Sequence, residues 1–482
     1  MVRTAVIAVL VVLGGLTALA PAGAAGAQLD SPAPGATLSA GSAHTCRLVS
    51  GSIQCTGYNI GGQLGDGTTA SASKLVGVAG VPNAVSVDAG DFHTCAVVGS
   101  GALRCWGRNT VGQLGNNTTI NSLTPVAVTG ITNAKSVSAG SNHSCAIVGT
   151  GGVRCWGNNF NGKLGDGSLT SSNSPVTVTG ISDAVSVTTG PGFTCAIVGS
   201  GTVKCWGFNS TGMLGNGTVV DSSTPVTVTG ITNAVSVSAG TFHACAKLAT
   251  GEVKCWGANT FGQLGNGTNS NSTTPVTVSG ITTATEVSVG NGFSCAVLGS
   301  GGARCWGSNN FGQLGDGTNS NSTTPVTVTG ITTAASISAG AAYACVALTS
   351  GTVRCWGSGG DGQLGDGTNT TTSVPVTMAA GLCQAPPNPG FGDVPGNAYY
   401  TFAVSWLVGK NIGEFQGSTH ATGQNDRATR TRRPLEAPAC HAIPSPRRNA
   451  TTFMNACQST GSFRSRASPA NSNATGPRSH AK

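Results

Sequence analysis

Cysteines at a fixed short spacing are the residues of this sequence with the most specific chemistry. Of the 17 cysteines, fourteen form seven pairs, six spaced Cys-x9-Cys and the first Cys-x8-Cys. If paired cysteines oppose each other on a β-hairpin, the common spacing leaves a three-residue loop such as Gly149–Gly151, and the short spacing leaves the two-residue turn Ser50–Gly51. Directly opposed residues have the separation that a disulfide needs. The alternative is buried free thiols; zinc is disfavoured because each pair supplies only two ligands.

Histidines and carboxylates also recur, and their equivalent positions can be compared because a unit of about fifty residues is repeated along the chain. One column holds His44, His93, His143, Phe193, His243, Phe293 and Tyr343. Since phenylalanine can neither act as a base nor bind a metal, we expect this column to pack or to form hydrogen bonds. A second column holds Asp66, Asn116, Asp166, Asn216, Asn266, Asp316 and Asp366. Asn and Asp both favour a turn before glycine, so this column predicts a turn rather than a catalytic acid.

Motifs of known catalytic sites are not recognisable in the sequence. We find no nucleophile elbow, phosphate-binding loop, histidine–glutamate zinc motif or cysteine–histidine pair. The sequence therefore predicts no catalytic residue, no metal site and no cofactor.

The units that must position these residues have the composition of β-strands. The triplet Cys-Trp-Gly recurs at Cys105, Cys155, Cys205, Cys255, Cys305 and Cys355, with a degenerate copy at Cys55. Each unit offers four strand candidates bounded by Gly, Asn or Asp. In the third unit they are a segment ending at Val137–Ser138, then His143–Val148, Val153–Trp156 and Pro175–Thr179. Four strands repeated radially form propeller blades.

Face-to-face packing of blades explains the composition, because only 8% of the residues are charged. We expect both faces of every sheet to be buried, with the Trp column (Trp106 to Trp356) in the core. The chain enters at Ala36–Ser39, a first-strand segment, and leaves at Val374–Thr377, a fourth-strand segment, so seven units close without an orphan strand. The predicted fold class is all-β: a seven-bladed β-propeller of four-stranded blades over residues 28–382, plus a short partly helical or disordered C-terminal region.

Three motifs carry a family resemblance. They are Gly-x-x-His-x-Cys, Cys-Trp-Gly-x-Asn and Gly-Gln-Leu-Gly, found in the second unit at Gly90, His93, Cys95, Cys105, Trp106, Gly107, Asn109, Gly112, Gln113, Leu114 and Gly115. The pattern resembles the regulator of chromosome condensation repeat family over about residues 36–382. The resemblance implies a seven-bladed propeller, and the eukaryotic family member implies guanine-nucleotide exchange on a small GTPase; fold alone does not settle activity.

The first 27 residues have the pattern of a secretory signal peptide. Arg3 precedes the apolar run Thr4–Ala20, and Ala25–Ala27 supplies a small-residue cleavage site. The run is short for a membrane span and contains Gly14–Gly15, which favours cleavage over anchoring. An exported chain meets an oxidising compartment, which favours disulfides over free thiols. The predicted disulfides are Cys46–Cys55, Cys95–Cys105, Cys145–Cys155, Cys195–Cys205, Cys245–Cys255, Cys295–Cys305 and Cys345–Cys355.

The C-terminal region differs in composition from the repeats. Residues 383–390 form a proline-rich linker, and residues 391–415 resemble the start of a surface-layer homology domain, which anchors proteins to cell-wall polymers. The matching residues are Phe391, Asp393, Val394, Tyr400, Ala403, Trp406, Leu407 and Ile412. Residues 416–482 are predicted to be a basic disordered tail, interpreted as a frameshifted remnant or as an arm for an anionic wall polymer or nucleic acid. The pairing of Cys383, Cys440 and Cys457 is not assigned.

Charge separates these two regions. Between residues 30 and 382 there are 12 basic and 12 acidic residues, whereas residues 383–482 hold 11 basic and 4 acidic ones. We therefore expect no nucleic-acid-binding surface on the propeller.

Sequence variation between the units points to a binding face. The loop between the first two strands and the exit of the third strand share one rim of a blade, and both vary, whereas the hairpin loops at the other rim are monotonous. The most distinctive side chains at the variable places are the candidate binding residues. They are Asp91, Phe92, Arg108, Asn142, Phe208 and Phe242. Neutral drift in exposed loops is the alternative explanation.

The predicted function is that of a secreted or cell-surface binding or scaffolding module. Its partner would be an unidentified protein or cell-wall polymer, and after signal cleavage we expect a monomer without a transmembrane anchor. The alternative is a guanine-nucleotide exchange factor, and the third hypothesis is an extracytoplasmic enzyme that uses residues outside the repeat columns.

Overall fold

The structure, a computed structural model, describes residues 37–379. The predicted signal peptide, linker, surface-layer-like segment and tail lie outside the described residues. The described chain forms 28 β-strands in seven four-stranded antiparallel sheets, together with a 3-10 helix at Phe160–Gly162. This is the predicted seven-bladed propeller, and each blade consists of four consecutive strands.

The strands of each blade occupy equivalent positions. The first strands are Thr37–Ala40 (β1), Ala84–Ala89 (β5), Ala134–Ala139 (β9), Ala184–Thr189 (β13), Ala234–Ala239 (β17), Ala284–Val289 (β21) and Ala334–Ala339 (β25). The second strands are His44–Val49 (β2), His93–Val98 (β6), His143–Val148 (β10), Phe193–Val198 (β14), His243–Leu248 (β18), Phe293–Leu298 (β22) and Tyr343–Leu348 (β26). The third strands are Ser52–Gly57 (β3), Ala102–Gly107 (β7), Gly152–Gly157 (β11), Thr202–Gly207 (β15), Val253–Gly257 (β19), Ala303–Gly307 (β23) and Val353–Gly357 (β27). The fourth strands are Ala72–Gly77 (β4), Ser122–Ala127 (β8), Ser172–Thr177 (β12), Ser222–Thr227 (β16), Ser272–Thr277 (β20), Ser322–Thr327 (β24) and Thr372–Thr377 (β28).

The central hairpin of every blade has the predicted register. Cys145 pairs with Cys155 and Ile147 with Val153, which leaves a three-residue loop between β10 and β11. In the first blade the two-residue turn has Ser50 and Gly51 at φ values of 49° and 76°, the left-handed conformation that a tight hairpin requires. All seven predicted disulfides are present, one in each hairpin.

The prediction for the fourth strand was wrong in position and in burial. The strand in the third blade runs over Ser172–Thr177 instead of Pro175–Thr179, and Pro175 lies inside it. Proline is tolerated there because this strand is the outer edge of the sheet, where one row of N–H groups needs no partner. The side chains of the fourth strands are largely half-buried or exposed, so the expectation that both faces of every sheet are buried does not hold for this outer strand.

The first strands line the centre of the ring, where each contacts the first strands of both neighbouring blades, including β1 with β25. A hydroxyl or carboxylate on each first strand accepts a hydrogen bond from a backbone N–H of the next blade, as Ser39 does from Ala89 at 2.9 Å. The accepting residues are Ser39, Asp88, Ser138, Thr188, Ser238, Ser288 and Ser338. The last of these bonds, from Ala40 to Ser338, closes the ring without strand exchange.

Buried tryptophans join successive blades. Trp106 is fully buried and donates its indole N–H to the Gln63 carbonyl of the preceding blade at 2.9 Å, and five later blades repeat this bond. The first blade has Thr56 instead, whose hydroxyl lies 2.7 Å from the Ala72 carbonyl of its own blade and 3.0 Å from the Gly362 carbonyl of the seventh blade. Met378 fills the space beside Thr56, at a position where the other blades have valine. A larger neighbour thus compensates for the missing indole at the ring closure.

No helix within residues 37–379 has the length and apolar character that a membrane crossing demands.

Candidate functional site: the loop rim

The two ends of the propeller differ in their connections. We call loop rim the end formed by the loops between first and second strands and the segments between third and fourth strands; these lie together, since the Tyr58 N–H donates to the Ala43 carbonyl at 2.8 Å. We call turn rim the end formed by the hairpin turns and the blade-to-blade connections, which are joined by bonds such as Ala84 N–H to Gly51 carbonyl at 3.0 Å. Antiparallel order starts β1 and ends β28 at the turn rim. The loop rim is therefore free of both ends of the described chain.

Phe92 and Arg108 of the candidate residues contact each other. The guanidinium carbon of Arg108 lies 5.5 Å from the ring centre of Phe92, a cation–π distance. Tyr58 of the first blade packs edge-on against the same ring, with centroids 6.5 Å apart. Arg108 is exposed, while Tyr58 and Phe92 are half-buried. The result is a mixed aromatic and cationic patch across the junction of blades one and two.

Asp91 and Asn142 flank this patch without joining it. The Asp91 N–H donates to the Gly140 carbonyl at 3.1 Å, and burial raises the pKa of its carboxyl, against a hydrogen bond from Ser141. Asn142 is half-buried and donates to Ser141 at 3.1 Å. Both side chains therefore contact Ser141, in the loop between the first and second strands of the third blade.

Phe208 and Phe242 lie in the fourth and fifth blades, away from the patch. Phe208 packs on a buried cluster that contains Phe193, close to Gly192, whereas Phe242 is 45% exposed. The structure therefore spreads the six predicted residues over four consecutive blades of one rim and does not gather them in a single pocket.

Sequence comparison missed other exposed apolar residues of the loop rim. Ile60, Phe160, Phe261 and Phe311 are exposed by 65%, 74%, 41% and 49% and follow the third strand by three or four positions. Phe261 reaches the loop of the next blade, where its ring lies against Gly292. The signal was present, because these positions vary between units in the same way as the positions that were chosen.

Exposed apolar side chains are concentrated at this end of the described propeller. Those on the loop rim are Ile60, Ile120, Phe160, Leu169, Val219, Val220, Phe242, Phe261 and Phe311. Those on the turn rim are Val49, Val85 and Val235. Aromatic and apolar groups collected on one face are typical of a binding surface.

Seven glycines close the loop rim around its axis. They are Gly41, Gly90, Gly140, Gly190, Gly240, Gly290 and Gly340. A Cβ on Gly41 would lie 2.2 Å from the Gly90 carbonyl oxygen, and equivalent contacts recur around the ring. Only glycine allows this approach of adjacent backbones.

The histidine column lies beneath these glycines and forms hydrogen bonds, as predicted. Thr94 donates its hydroxyl proton to the Gln63 carbonyl at 2.8 Å, so it accepts from His44 Nε2 at 2.9 Å. His44 therefore carries its proton on Nε2. Burial, with His93 nearby, lowers the pKa of His44 to about 3, and burial lowers that of His93 to about 4. These imidazoles are neutral, fully buried links between blades.

The acidic column forms turns. Asp66 accepts hydrogen bonds from the Thr68 N–H at 3.0 Å and from its hydroxyl at 2.9 Å, and Asn116 caps Thr118 in the same way. In the part of the chain that the structure describes, no three His, Cys, Asp or Glu side chains are grouped to hold a metal ion.

Comparison with known families finds the repeat described as "Regulator of chromosome condensation (RCC1) repeat". One family model matches residues 100–147, 150–197, 200–246, 250–297 and 300–347, and a second of the same description matches residues 84–113, 134–163, 234–263, 284–313 and 334–363. Together they cover more than half of the chain.

Solved structures share the architecture at low sequence identity. Human WBSCR16 is 21% identical with a TM-score of 0.62, over 68% of this chain and 93% of that one. Yeast RCC1 (Prp20), solved with Kap60 bound, is 19% identical with a TM-score of 0.63, over 73% and 86%. Prp20p of Saccharomyces cerevisiae, described with its binding properties to Gsp1p and histones, is 21% identical with a TM-score of 0.61, over 68% and 86%. No curated protein sequence matches the chain. The repeats, their seven blades and the family matches establish that this protein belongs to the RCC1 repeat family.

Proposed function

We propose that this protein is an exported binding or scaffolding propeller that holds a partner on its loop rim and catalyses no reaction. The observation that carries the proposal is the concentration of exposed aromatic and aliphatic side chains on the loop rim. Such side chains are the usual anchors of an interface, and the rigid ring beneath them costs little entropy to order on binding.

Location outside the cytosol is supported by the seven hairpin disulfides, because disulfides persist in oxidising compartments. The sequence pattern of residues 1–27 points the same way.

Guanine-nucleotide exchange is the second candidate, because yeast Prp20p, a protein described with its binding properties to Gsp1p, has the same fold. Exchange would require a cytosolic or nuclear GTPase. The disulfides weigh against that location, and fractionation of cells into cytosolic and external material would decide between the two.

The test compares two sets of substitutions in the full chain. Phe242→Ser, Phe261→Ser and Phe311→Ser remove three exposed rings from the loop rim; Val49→Ser, Val85→Ser and Val235→Ser remove three exposed apolar side chains from the turn rim. Partners are captured from the extracellular fraction by cross-linking and quantified by mass spectrometry. We expect the first set to lose at least about ten-fold of a specific partner and the second to retain it, since hot-spot truncations cost more than about 1.4 kcal/mol. Equal retention by both sets would contradict the loop-rim assignment.

A further inference from the structure

Every blade carries one cation at the same level of its central hairpin. In six blades the cation is on the third strand, one residue before the second cysteine: Arg104, Arg154, Lys204, Lys254, Arg304 and Arg354. In the first blade this place is taken by Gln54, and the cation is on the directly opposed residue of the second strand, Arg47. Directly opposed residues share a face of the sheet. The first blade therefore has its cation on the same face as the other blades, although the cation is on the second strand and not on the third. The ring of cations is complete.

Two of these side chains reach the blade-to-blade connections of the turn rim. The Arg354 guanidinium donates to the Gly330 carbonyl at 3.5 Å, and Arg304 Nη1 lies 3.9 Å from where a Cβ of Gly280 would be; both glycines are in blade-to-blade connections. Arg47 donates to Gln54 Oε1 at 2.8 and 3.1 Å. These oxygen partners are uncharged, so the positive charge stays unneutralised.

Charge is segregated between the rims, although the propeller is nearly neutral as a whole. Among residues 37–379 the turn rim holds nine basic residues and three acidic ones. They are Arg47, Arg104, Lys135, Arg154, Lys204, Lys247, Lys254, Arg304 and Arg354, against Asp183, Glu252 and Glu286. The loop rim of the same range holds three basic residues and seven acidic ones: Lys74, Arg108 and Lys163, against Asp66, Asp91, Asp166, Asp221, Asp316, Asp361 and Asp366. The net charge of the propeller does not reveal this segregation, because opposite charges lie at opposite ends. The absence of a nucleic-acid-binding surface on the propeller stays a prediction.

The arrangement of the turn rim favours a broad, flat ligand. Cations spread over all seven blades can be engaged together only by a surface as wide as the propeller. Val85, Lys135 and Val235 are exposed at its central opening, so apolar and cationic side chains alternate as in proteins that lie on membranes.

We propose that the turn rim docks on an anionic lipid bilayer, with the ring of seven cations against the headgroups and the loop rim turned away from the membrane. Each cation near an anionic surface adds a modest attraction that salt screens, so the ring acts through multiplicity. The proposal does not depend on the loop rim having a partner.

The experiment uses the full chain and vesicles of phosphatidylcholine with or without one third phosphatidylglycerol, measured by co-sedimentation. The ring variant combines Arg154→Gln, Lys204→Gln, Arg304→Gln and Arg354→Gln. Glutamine already occupies this column as Gln54, so the fold tolerates it. The matched control carries Arg427→Gln, Arg430→Gln, Arg432→Gln and Arg433→Gln, which removes the same charge from the tail. Thermal unfolding confirms that both variants are folded.

We expect wild type to bind the anionic vesicles and not the neutral ones, with affinity falling as salt rises. The ring variant should bind at least about ten-fold more weakly and the tail control less than about three-fold more weakly, because ring cations act at one surface together. Equal loss in both variants, or unchanged binding by the ring variant, would overturn the proposal. Competition in which linear polyphosphate or double-stranded DNA displaces the protein at lower phosphate concentration than anionic vesicles do would also overturn it, in favour of a polymer ligand.

Discussion

Comparison of each residue with the equivalent residues of the other six blades shows which positions depart from the repeat pattern. Glu286 and Lys247 are both exceptions: the first stands where the other blades have Ser or Thr, and the second where they have an apolar residue. Both lie at the junction of blades five and six, where Lys247 lowers the pKa of Glu286 against the larger effect of burial, which raises it to about 7. The Ile337 N–H donates to this carboxylate at 2.8 Å. Two substitutions have therefore placed opposite charges in one interface.

Glu286→Gln should reduce the pH dependence of stability. The pKa of Glu286 is raised from 4.5 to about 7 in the folded protein, so between these values the folded state keeps a proton that the unfolded state has lost. Wild type therefore loses stability as pH rises through this window, by at most about 3.5 kcal/mol at about 1.4 kcal/mol per pKa unit. Relative to the melting temperature of wild type, the melting temperature of the variant should be higher at pH 8 than at pH 5. If the melting temperatures of wild type and variant differ by the same amount at pH 5 and at pH 8, this account of Glu286 is refuted.

The junction between blades seven and one, which closes the ring, differs in its side chains from the other junctions between blades. Thr56 replaces the tryptophan of the other blades, Met378 replaces valine, and Leu75 replaces the proline of the other fourth strands. Leu75 and Met378 are buried in one cluster. Their added volume takes the place of the absent indole, so the junction of blades seven and one is packed by a different set of side chains.

This compensation predicts coupling between positions 56 and 378. Thr56→Trp alone should destabilise by about 1–3 kcal/mol because the site is filled, and Met378→Val alone by about 1–2 kcal/mol because it leaves a cavity. The double variant should recover part of the loss, giving an interaction energy above about 0.5 kcal/mol by urea unfolding. Met213→Gln, at a buried site of another junction where Gln is the usual residue, should show additivity with Met378→Val. Additivity of positions 56 and 378 would argue against shared packing.

The register of the central hairpins could be predicted from the sequence, because the cysteine spacing and the fifty-residue repeat each specify it independently. Cys145 and Cys155 are an example. The fourth strand was misplaced because Pro175 marks a strand end in the interior of a sheet but is allowed at an edge. The loop rim was identified, but Phe261 and Phe311 were missed, since their exposure depends on how each segment crosses to the next blade. Charge segregation could not be predicted from composition, because it depends on strand direction.

In the whole molecule, covalent cross-links act within blades and non-covalent contacts act between blades. Each disulfide joins strands of one blade, at sequence separations of 9 or 10 residues, and none of the seven links two blades. The blades are held to one another by packed cores, tryptophan hydrogen bonds and the hydroxyl ring at the centre.

Reduction of the disulfides should therefore lower the stability of every blade and leave the contacts between blades unchanged. Loops of this length contribute about 2–3 kcal/mol each in the chain-entropy model, and the contributions do not add. We expect a reductant to lower the melting temperature, and non-reducing peptide mapping to recover every pair within its own repeat. Peptides linked between repeats would contradict the pairing.

The short reach of the disulfides also bears on how the chain would mature under the export proposed above. Each paired cysteine finds its partner in the nearest cysteine along the chain, so closing the correct loop costs less entropy than closing any wrong one. A polypeptide that crosses a membrane from its N-terminus can thus oxidise hairpin after hairpin in order of emergence. Only the docking of the last blade on the first, through Tyr343 and Thr45, must wait for the complete repeat array.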